Sequence, residues 1–159
     1  MKTSTAPGCR ALRLGRISAT GQAYLVTLCT DQRRPWFEEH ALAEAVCEVV
    51  RAPTTWPAAE LSAWILMPDH WHGLVVLKGP ESLGTVVSRV KSLTTMSFPP
   101  GPGTRLWQRG FHDHALRSHE TVSSVIAYIL HNPVRKQLVA RWEDWPGLGG
   151  SMVSCTLPR

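Results

Sequence analysis

The chain has 159 residues, the size of one domain with a sizeable hydrophobic core. Hydrophobic residues make up 43% and charged residues 18%, which excludes a disordered chain, and no apolar run reaches the roughly 18 to 20 residues that span a bilayer. The net charge of +5 and the isoelectric point of about 9.4 favour a polyanionic partner, nucleic acid above all, because most of the basic residues are arginine.

The first elements along the chain are a strand and a helix. The N-terminal segment, residues 1–16, is basic and has no long apolar core, so we expect no secretory signal and a cytoplasmic protein. A strand is predicted at Gln22–Thr30, which is rich in β-branched and aromatic residues. Residues 39–52 predict an amphipathic helix, because its apolar residues recur at helical spacing.

Two strands and a second helix follow. The strands are predicted at Leu61–Met67 and His70–Leu77, and the Pro68-Asp69 pair between them predicts a tight turn and antiparallel pairing. The sequence SLGTVVSRVKSL, residues 82–93, has an apolar stripe typical of a helix. A loop is predicted at FPPGPG, residues 98–103, because proline and glycine interrupt regular structure.

The last part of the chain predicts a fourth strand and a third long helix. The strand lies within LWQRGFHDHALR, residues 106–117, although its alternation is poor. The helix covers 120–130, with Ser118 as a candidate N-cap. A new helix in VRKQLV, residues 134–139, is one of the two interpretations of Asn132 given below. The tail from Arg141 onward is expected to be irregular and to fold back over the domain.

The predicted order is therefore β-α-β-β-α-β followed by an additional helix. This order predicts an α+β ferredoxin-like sandwich, with a four-stranded antiparallel sheet and two helices on one face. We expect a single domain over residues 1–159, with a core at about 16–145 and an additional C-terminal helix that carries Tyr128. The other face of the sheet is left free for this helix or for a ligand. The fold alone names no activity.

Two histidines flank a tryptophan in the third predicted strand, His70-Trp71-His72. Because side chains alternate along a strand, both imidazoles lie on one face and the indole on the other. Such a pair can share one divalent cation that acts as a Lewis acid on a phosphoryl oxygen. It can also be two polar residues beside a core tryptophan, and the spacing leaves both interpretations open.

Tyr128 and Asn132 lie four residues apart in YILHNP, hence on nearly the same face if the helix continues. Tyr128 lies off the apolar stripe of its helix, which makes its phenol a candidate nucleophile. Asn132 is either an amide ligand next to that phenol or the N-cap of a new helix that starts with Pro133. The residues alone leave these two interpretations open.

Further candidates come from the fourth predicted strand and from the basic residues. Three interpretations are open for His112 and His114: a second metal cluster, groups that support a metal site from outside, or a polar edge. We favour the last two interpretations. Candidates for supporting groups behind the metal ligands are Asp69, Asp113 and His114. Candidate contacts to DNA phosphates are Arg13, Arg16, Arg33, Arg34, Arg89 and Lys91. No glycine-rich phosphate-binding loop is present, so we expect no nucleotide cofactor.

Three ordered stretches together resemble the single-tyrosine HUH transposases of the IS200-like type, and above all the REP-associated tyrosine transposases. They are MPDHWHGLVV, LWQRGFHDHALR and AYILHNPVRKQLV. HUH denotes histidine, a bulky hydrophobic residue and histidine, which His70-Trp71-His72 matches. The resemblance covers about residues 16–145 and implies a ferredoxin-like core, the same fold that the order of elements predicts.

The resemblance implies a role for each matching residue. Tyr128 matches the catalytic tyrosine, His70 and His72 match the metal-binding pair, and Asn132 matches the polar third ligand. The implied metal is Mg²⁺ or Mn²⁺. The sequence departs from the pattern modestly, because Asp69 stands where asparagine is common.

The function that the resemblance implies is that of a single-stranded DNA endonuclease and strand transferase. Such an enzyme cleaves at or near hairpin-forming repeats through a 5′-phosphotyrosine. The implied partner is single-stranded DNA with a hairpin, bound by a monomer or a homodimer, and we expect no membrane partner. Two alternatives stay open: a non-catalytic nucleic-acid-binding module on the same sheet, and a small zinc protein that also uses His112 and His114.

Overall fold

The computed structural model describes residues 18–97, 101, 103–117 and 120–153. The predicted order of elements is confirmed, and one short helix and one short strand are added near the end. The elements are β1 (Ala23–Cys29), α1 (His40–Arg51), β2 (Ala59–Met67), β3 (His70–Leu77), α2 (Leu83–Ser97), β4 (His112–Ala115), α3 (Val122–Leu130), α4 (Asn132–Arg135) and β5 (Leu148–Gly149).

The strands form one antiparallel sheet in the order β4-β1-β3-β2-β5. The first four positions are those of a ferredoxin-like sheet, so the predicted α+β class is confirmed. The prediction of four strands was one strand short, because β5 pairs with the outer edge of β2. Its two residues give no hydrophobic alternation, and Gly150 follows with φ of 131° so close to β2 that a Cβ there would lie 2.4 Å from the Ser62 carbonyl oxygen.

Helices α1 and α2 cover one face of the sheet, around Trp71. The indole of Trp71 is 1% exposed and stacks on Trp56 at 6.1 Å between ring centroids. Gly73 lies on the same face two residues later, and a Cβ there would be 2.0 Å from the Trp71 ring. A glycine at this position is therefore what lets the tryptophan lie flat over its own strand.

Helix α3 lies on the opposite face, against β2 and β3. Its buried residues Ile126, Ile129 and Leu130 pack on apolar side chains of the sheet, namely Ala63, Ile65, Met67 and Leu74. The α3 N-cap is Thr121, whose hydroxyl accepts from the Ser124 backbone N–H at 3.2 Å, whereas the predicted cap Ser118 lies outside the described residues. Helix α4 ends at Arg135, so it covers only the start of the alternative helix at 134–139, and Gln137 just beyond it has φ of 58°.

None of the helices in the described part of the chain is both long enough and apolar enough to cross a bilayer.

Candidate active site

The two histidines of β3 lie side by side on the face of the sheet that carries α3. The ring centroids of His70 and His72 are 4.6 Å apart and the rings are inclined at 80°. Trp71 lies between them in sequence and points to the α1–α2 side, as the strand alternation predicts. The tight turn at Pro68 and Asp69 brings β3 back beside β2. The first of the two imidazoles, that of His70, is buried.

Each imidazole is held through its Nδ1 atom. The His70 Nδ1 lies 2.6 Å from Oδ1 of Asp69, and the His72 Nδ1 lies 2.8 Å from the hydroxyl of Thr27 on β1. The Asp69 carboxylate accepts, so the proton of His70 is on Nδ1 and its Nε2 keeps a lone pair. When the Thr27 hydroxyl accepts in the same way, the Nε2 of His72 also keeps a lone pair. This is the arrangement by which outer groups orient metal-binding histidines.

Burial keeps both imidazoles neutral near pH 7. It lowers the pKa of His72 to about 4, with a smaller contribution from the neighbouring His70. Burial also lowers the pKa of His70, against the opposing effect of the Asp69 carboxylate. Two neutral imidazoles on one face fit a divalent cation, because the ligand form of histidine is the neutral one.

Arg33 supports the pair from the loop after β1. Its Nε donates to Oδ2 of Asp69 at 3.0 Å, so one carboxylate links the arginine to His70. Gln32 and Arg33 both have φ of 56°, in the left-handed region that costs a non-glycine residue about 1–2 kcal/mol. Such strain is typically retained where the surrounding contacts fix it, often at functional sites.

Tyr128 lies on α3 beside the imidazole pair. Its ring centroid is 6.3 Å from that of His72, in an edge-on arrangement, and the side chain is 44% exposed. Residues on either side, Ile126 and Ile129, face the sheet and are buried. The phenol is therefore on the rim of the helix, between the sheet surface and solvent.

Asn132 is buried one turn after Tyr128, at the junction of α3 and α4. Its amide nitrogen donates to the carbonyl oxygens of Tyr128 and Ile129, each at 3.2 Å. The cap of α4 is His131, so Asn132 is not the N-cap that Asn-Pro also allowed. Because the amide nitrogen is engaged in the helix end, the Oδ1 atom is the one that remains for a ligand.

Within the described ranges, no group of three or more histidine, cysteine, aspartate or glutamate side chains could hold a metal ion. The donor chemistry that fits a divalent cation is therefore that of the neutral His70 and His72 imidazoles, and Asn132 offers an amide oxygen at the end of α3. Phosphate oxygens and water would complete the coordination of a cation held there.

Asp113 and His114, the two residues of β4 that are candidates for supporting groups, face opposite sides of the sheet. Asp113 pairs with Val26, so it points to the α1–α2 side, where it lines a cavity of about 180 Å³ with Tyr24. It is therefore separated by the sheet from the imidazole pair. His114 lies on the α3 side, where its Nε2 is 2.9 Å from the Glu120 carboxylate, and both residues line a groove of about 430 Å³ that Tyr128 also borders.

The candidate DNA contacts have different surroundings. Arg33 and Arg34 lie on the loop after β1, and Arg34 also stacks over Trp36 at 5.8 Å. Arg89 donates to both carboxylate oxygens of Glu81 at 2.7 Å. Lys91 donates to two backbone carbonyls of the loop before β4. Arg13 and Arg16 lie outside the described residues.

Sequence reasoning missed two residues that the structure brings to the site. Thr27 holds His72, and its role depends on the pairing of β1 with β3, which has no local signal. Arg135 places its guanidinium carbon 4.8 Å from the centroid of the Tyr128 ring. Arg135 lies on a second helix, and the contact depends on how α4 follows α3, which has no local signal in the sequence.

The fold is that of two solved structures described as transposases. A solved structure described as a REP-associated tyrosine transposase bound to a REP hairpin has the same fold, with a TM-score of 0.65 and 24% identity over 84% of this chain and 79% of that one. A putative transposase from Deinococcus radiodurans R1 matches with a TM-score of 0.53 and 23% identity over 72% of this chain and 93% of that one.

The chain belongs to the IS200-like transposase family, whose model matches residues 18–132. A REP-associated tyrosine transposase of Escherichia coli K12 is 32% identical over 88 residues, which cover 55% of this chain and 52% of that protein. A putative REP-associated tyrosine transposase of Haemophilus influenzae is 29% identical over 101 residues, covering 55% and 56%. The chain thus spans about half the length of these curated relatives.

Proposed function

We propose that this chain cleaves and rejoins single-stranded DNA at or near hairpin-forming repeats, with Tyr128 as the nucleophile. The observation that carries this function is the position of the Tyr128 ring, 6.3 Å from His72 on the face where two neutral imidazoles lie together. Membership of the IS200-like family supports it, as does the likeness in fold to a REP-associated tyrosine transposase bound to a REP hairpin.

The reaction exchanges one phosphate ester for another. The Tyr128 oxygen forms a bond to phosphorus in line with the bond to the 3′ oxygen, which breaks. The phenol loses a proton and the departing 3′ oxygen gains one, so the products are a 5′-phosphotyrosine and a free 3′-hydroxyl. Because the ester energy is kept, a 3′-hydroxyl can reverse the step without ATP.

A divalent cation, Mg²⁺ or Mn²⁺, would be held by His70, His72 and the Oδ1 atom of Asn132. When bound, it would polarise the scissile phosphate and stabilise the charge that develops on it. The residues of the chain set the geometry: Asp69 and Thr27 fix the two rings, and the hydrogen bonds at the end of α3 fix the amide.

The stoichiometry of cleavage follows from the number of tyrosines at the site. One chain offers one nucleophile there, so two cleavages need either two protomers or two successive events. The functional unit is accordingly a monomer that acts twice or a homodimer.

The test compares the two tyrosines of the chain. Hairpin oligonucleotides that bind the protein are selected from a randomised library, labelled and incubated with Mn²⁺, and adducts that resist SDS are counted. We expect an adduct with the wild type and with Tyr24→Phe, whose ring is buried in β1, and none with Tyr128→Phe. An adduct in the Tyr128→Phe protein contradicts the assignment, and DNA binding without any wild-type adduct favours the non-catalytic binding module.

A further inference from the structure

A cation, Arg135, stands beside Tyr128, and the roles above do not use it. Arg135 is the last residue of α4, Lys136 follows it, and both side chains are exposed. Among the described residues, no carboxylate forms an ion pair with either of them, whereas Arg33 is paired with Asp69. Their charge is therefore available to an anion at the site.

Arg135 is held in place by the phenol. Helix α4 follows α3 almost without interruption, since the Arg135 backbone N–H donates to the His131 carbonyl at 2.9 Å, and this puts the side chain two turns along from Tyr128. The guanidinium lies over the phenol ring at 4.8 Å. Stacking uses the flat face of the guanidinium and leaves the N–H groups on its edge free for phosphate oxygens.

The Tyr128 ring connects Arg135 to the imidazole pair. Its centroid lies 4.8 Å from the guanidinium carbon of Arg135 and 6.3 Å from the centroid of the His72 ring. An anion placed between the phenol and the imidazoles would be within reach of the long Arg135 side chain.

We propose that Arg135 is a catalytic residue whose guanidinium edge holds a non-bridging oxygen of the phosphodiester that Tyr128 attacks. The face of the guanidinium thereby orients the Tyr128 phenol, and the N–H groups on its edge orient the phosphate. This role depends on the cleavage proposed above, and it adds a residue that lies beyond the 18–132 span of the family match.

The first experiment separates charge from packing at this position. The rate of adduct formation at saturating hairpin DNA is measured for Arg135→Met, which keeps an apolar chain over the phenol, for Arg135→Lys, and for the control Arg141→Met on an exposed side chain. We expect Arg135→Met to be slower by roughly 100-fold. Arg135→Lys should recover part of the loss, and Arg141→Met should match the wild type. A wild-type rate for Arg135→Met overturns the role.

The second experiment does not require cleavage. In the Tyr128→Phe background, single methylphosphonate linkages, which lack the phosphate charge, are placed in turn along the selected hairpin oligonucleotide. We expect one linkage at which the substitution weakens binding by about tenfold, and the same linkage should have no such effect when Arg135→Met is also present. If every linkage responds equally with and without Arg135, the role is wrong.

The two proposals fail in different ways. A wild-type protein that forms no adduct but shows the Arg135-dependent linkage refutes cleavage and supports the phosphate contact. A wild type and an Arg135→Met protein that form adducts at equal rates support cleavage and refute the role of Arg135. Thermal unfolding of each variant shows whether it folds. If Arg135→Met does not fold, the result for Arg135→Lys decides the outcome.

Discussion

At the scale of single residues, the candidate site is defined by the groups that orient its two imidazoles. His70 is held by a carboxylate and His72 by a hydroxyl, and both contacts engage Nδ1. A carboxylate behind a histidine raises its strength as a ligand, whereas a hydroxyl mainly fixes its direction. If both histidines bind a metal as proposed, the metal affinity is therefore expected to fall by different amounts when Asp69 or Thr27 is removed.

Thr27→Val removes the hydroxyl behind His72 at nearly constant volume. We expect the affinity for Mn²⁺, measured by electron paramagnetic resonance with hairpin DNA bound to a Tyr128→Phe background, to fall about 10- to 100-fold. Thr85→Val, at an exposed position at the start of α2, is the control and should not change it. Equal Mn²⁺ affinity in the two variants would show that Thr27 does not support a ligand.

The low pKa of His72 predicts a loss of stability in acid. Its pKa is about 4 in the folded protein and near 6.5 when exposed, so the unfolded chain binds a proton more readily in between. In EDTA, the free energy of unfolding should fall as the pH drops from about 6.5 to 4, by about 3 kcal/mol at most from this residue. Urea titrations of His72→Gln should show a shallower decline, and an identical decline would contradict the buried state of the ring.

At the scale of elements, β3 has one face in the hydrophobic core and one face that carries the two proposed metal ligands. Trp71 and Gly73 build the core under α1 and α2, and the two histidines face α3. A displacement of the strand that disturbs one face moves the other as well. Helix α3 has the same double role, since its apolar side fixes the rim on which Tyr128 lies.

Gly73→Ala should destabilise the protein because its Cβ would lie 2.0 Å from the Trp71 ring. We expect a loss of about 1–3 kcal/mol in urea unfolding, the usual cost of overpacking a core. Gly84→Ala in α2 is the matched control, since the nearest atom to its Cβ would be the Ser82 hydroxyl at 3.6 Å. That variant should be neutral or more stable by up to about 1 kcal/mol, and an equal loss in both would contradict the packing argument.

Arg89 is expected to act on stability rather than on DNA. Its guanidinium is paired with Glu81 and one of its nitrogens, Nη1, is buried, so Arg89→Met should cost about 1–3 kcal/mol and leave DNA affinity unchanged. Arg34→Met is the contrast, at an exposed loop position, and should lower the salt dependence of DNA binding by about one unit of slope at constant stability. Fluorescence anisotropy across a salt series measures the DNA affinity and its salt dependence, and urea unfolding measures the stability. A smaller salt slope for Arg89→Met would show that Arg89 does contact a DNA phosphate.

At the scale of the whole molecule, the sheet has two different faces. One face, the core side, packs against α1 and α2, and the other, the working side, carries α3 and the candidate site. Two helices bury the core side, and α3 covers part of the working side, so the imidazoles and the phenol share a partly open surface. The chain then returns to close the outer edge of β2. There the Trp145 indole donates to the Leu66 carbonyl at 2.8 Å, and the Gly147 carbonyl accepts from the Leu66 N–H at 2.7 Å.

Removal of residues 145–159 should expose the edge of β2. We expect a loss of at least about 2 kcal/mol of stability from the buried contacts and self-association through the open edge. Urea unfolding and size-exclusion chromatography at several concentrations measure these effects, with a protein that lacks only residues 154–159 as the control. A monomeric truncated protein of unchanged stability would show that β5 does not protect the edge.

Part of the site could be predicted because it depends on local geometry. The alternation of β3 placed His70 and His72 on one face, and the helical spacing placed Asn132 one turn after Tyr128. The side on which Asp113 points could not be predicted in this way, because it depends on how β4 pairs with β1. The Glu81 partner of Arg89 was missed for a related reason, since it lies before the helix, outside its three- and four-residue spacing.

By itself, the sequence determined the order of the elements and the residues that share a face within each of them. Both follow from the periodicity of a single strand or helix, which is a property of neighbouring residues. Only the tertiary structure decided that Thr27 holds His72, that Arg135 stacks on Tyr128 and that the tail adds a fifth strand. These contacts join separate elements, and their geometry is set by the packing of the whole chain on the two faces of the sheet.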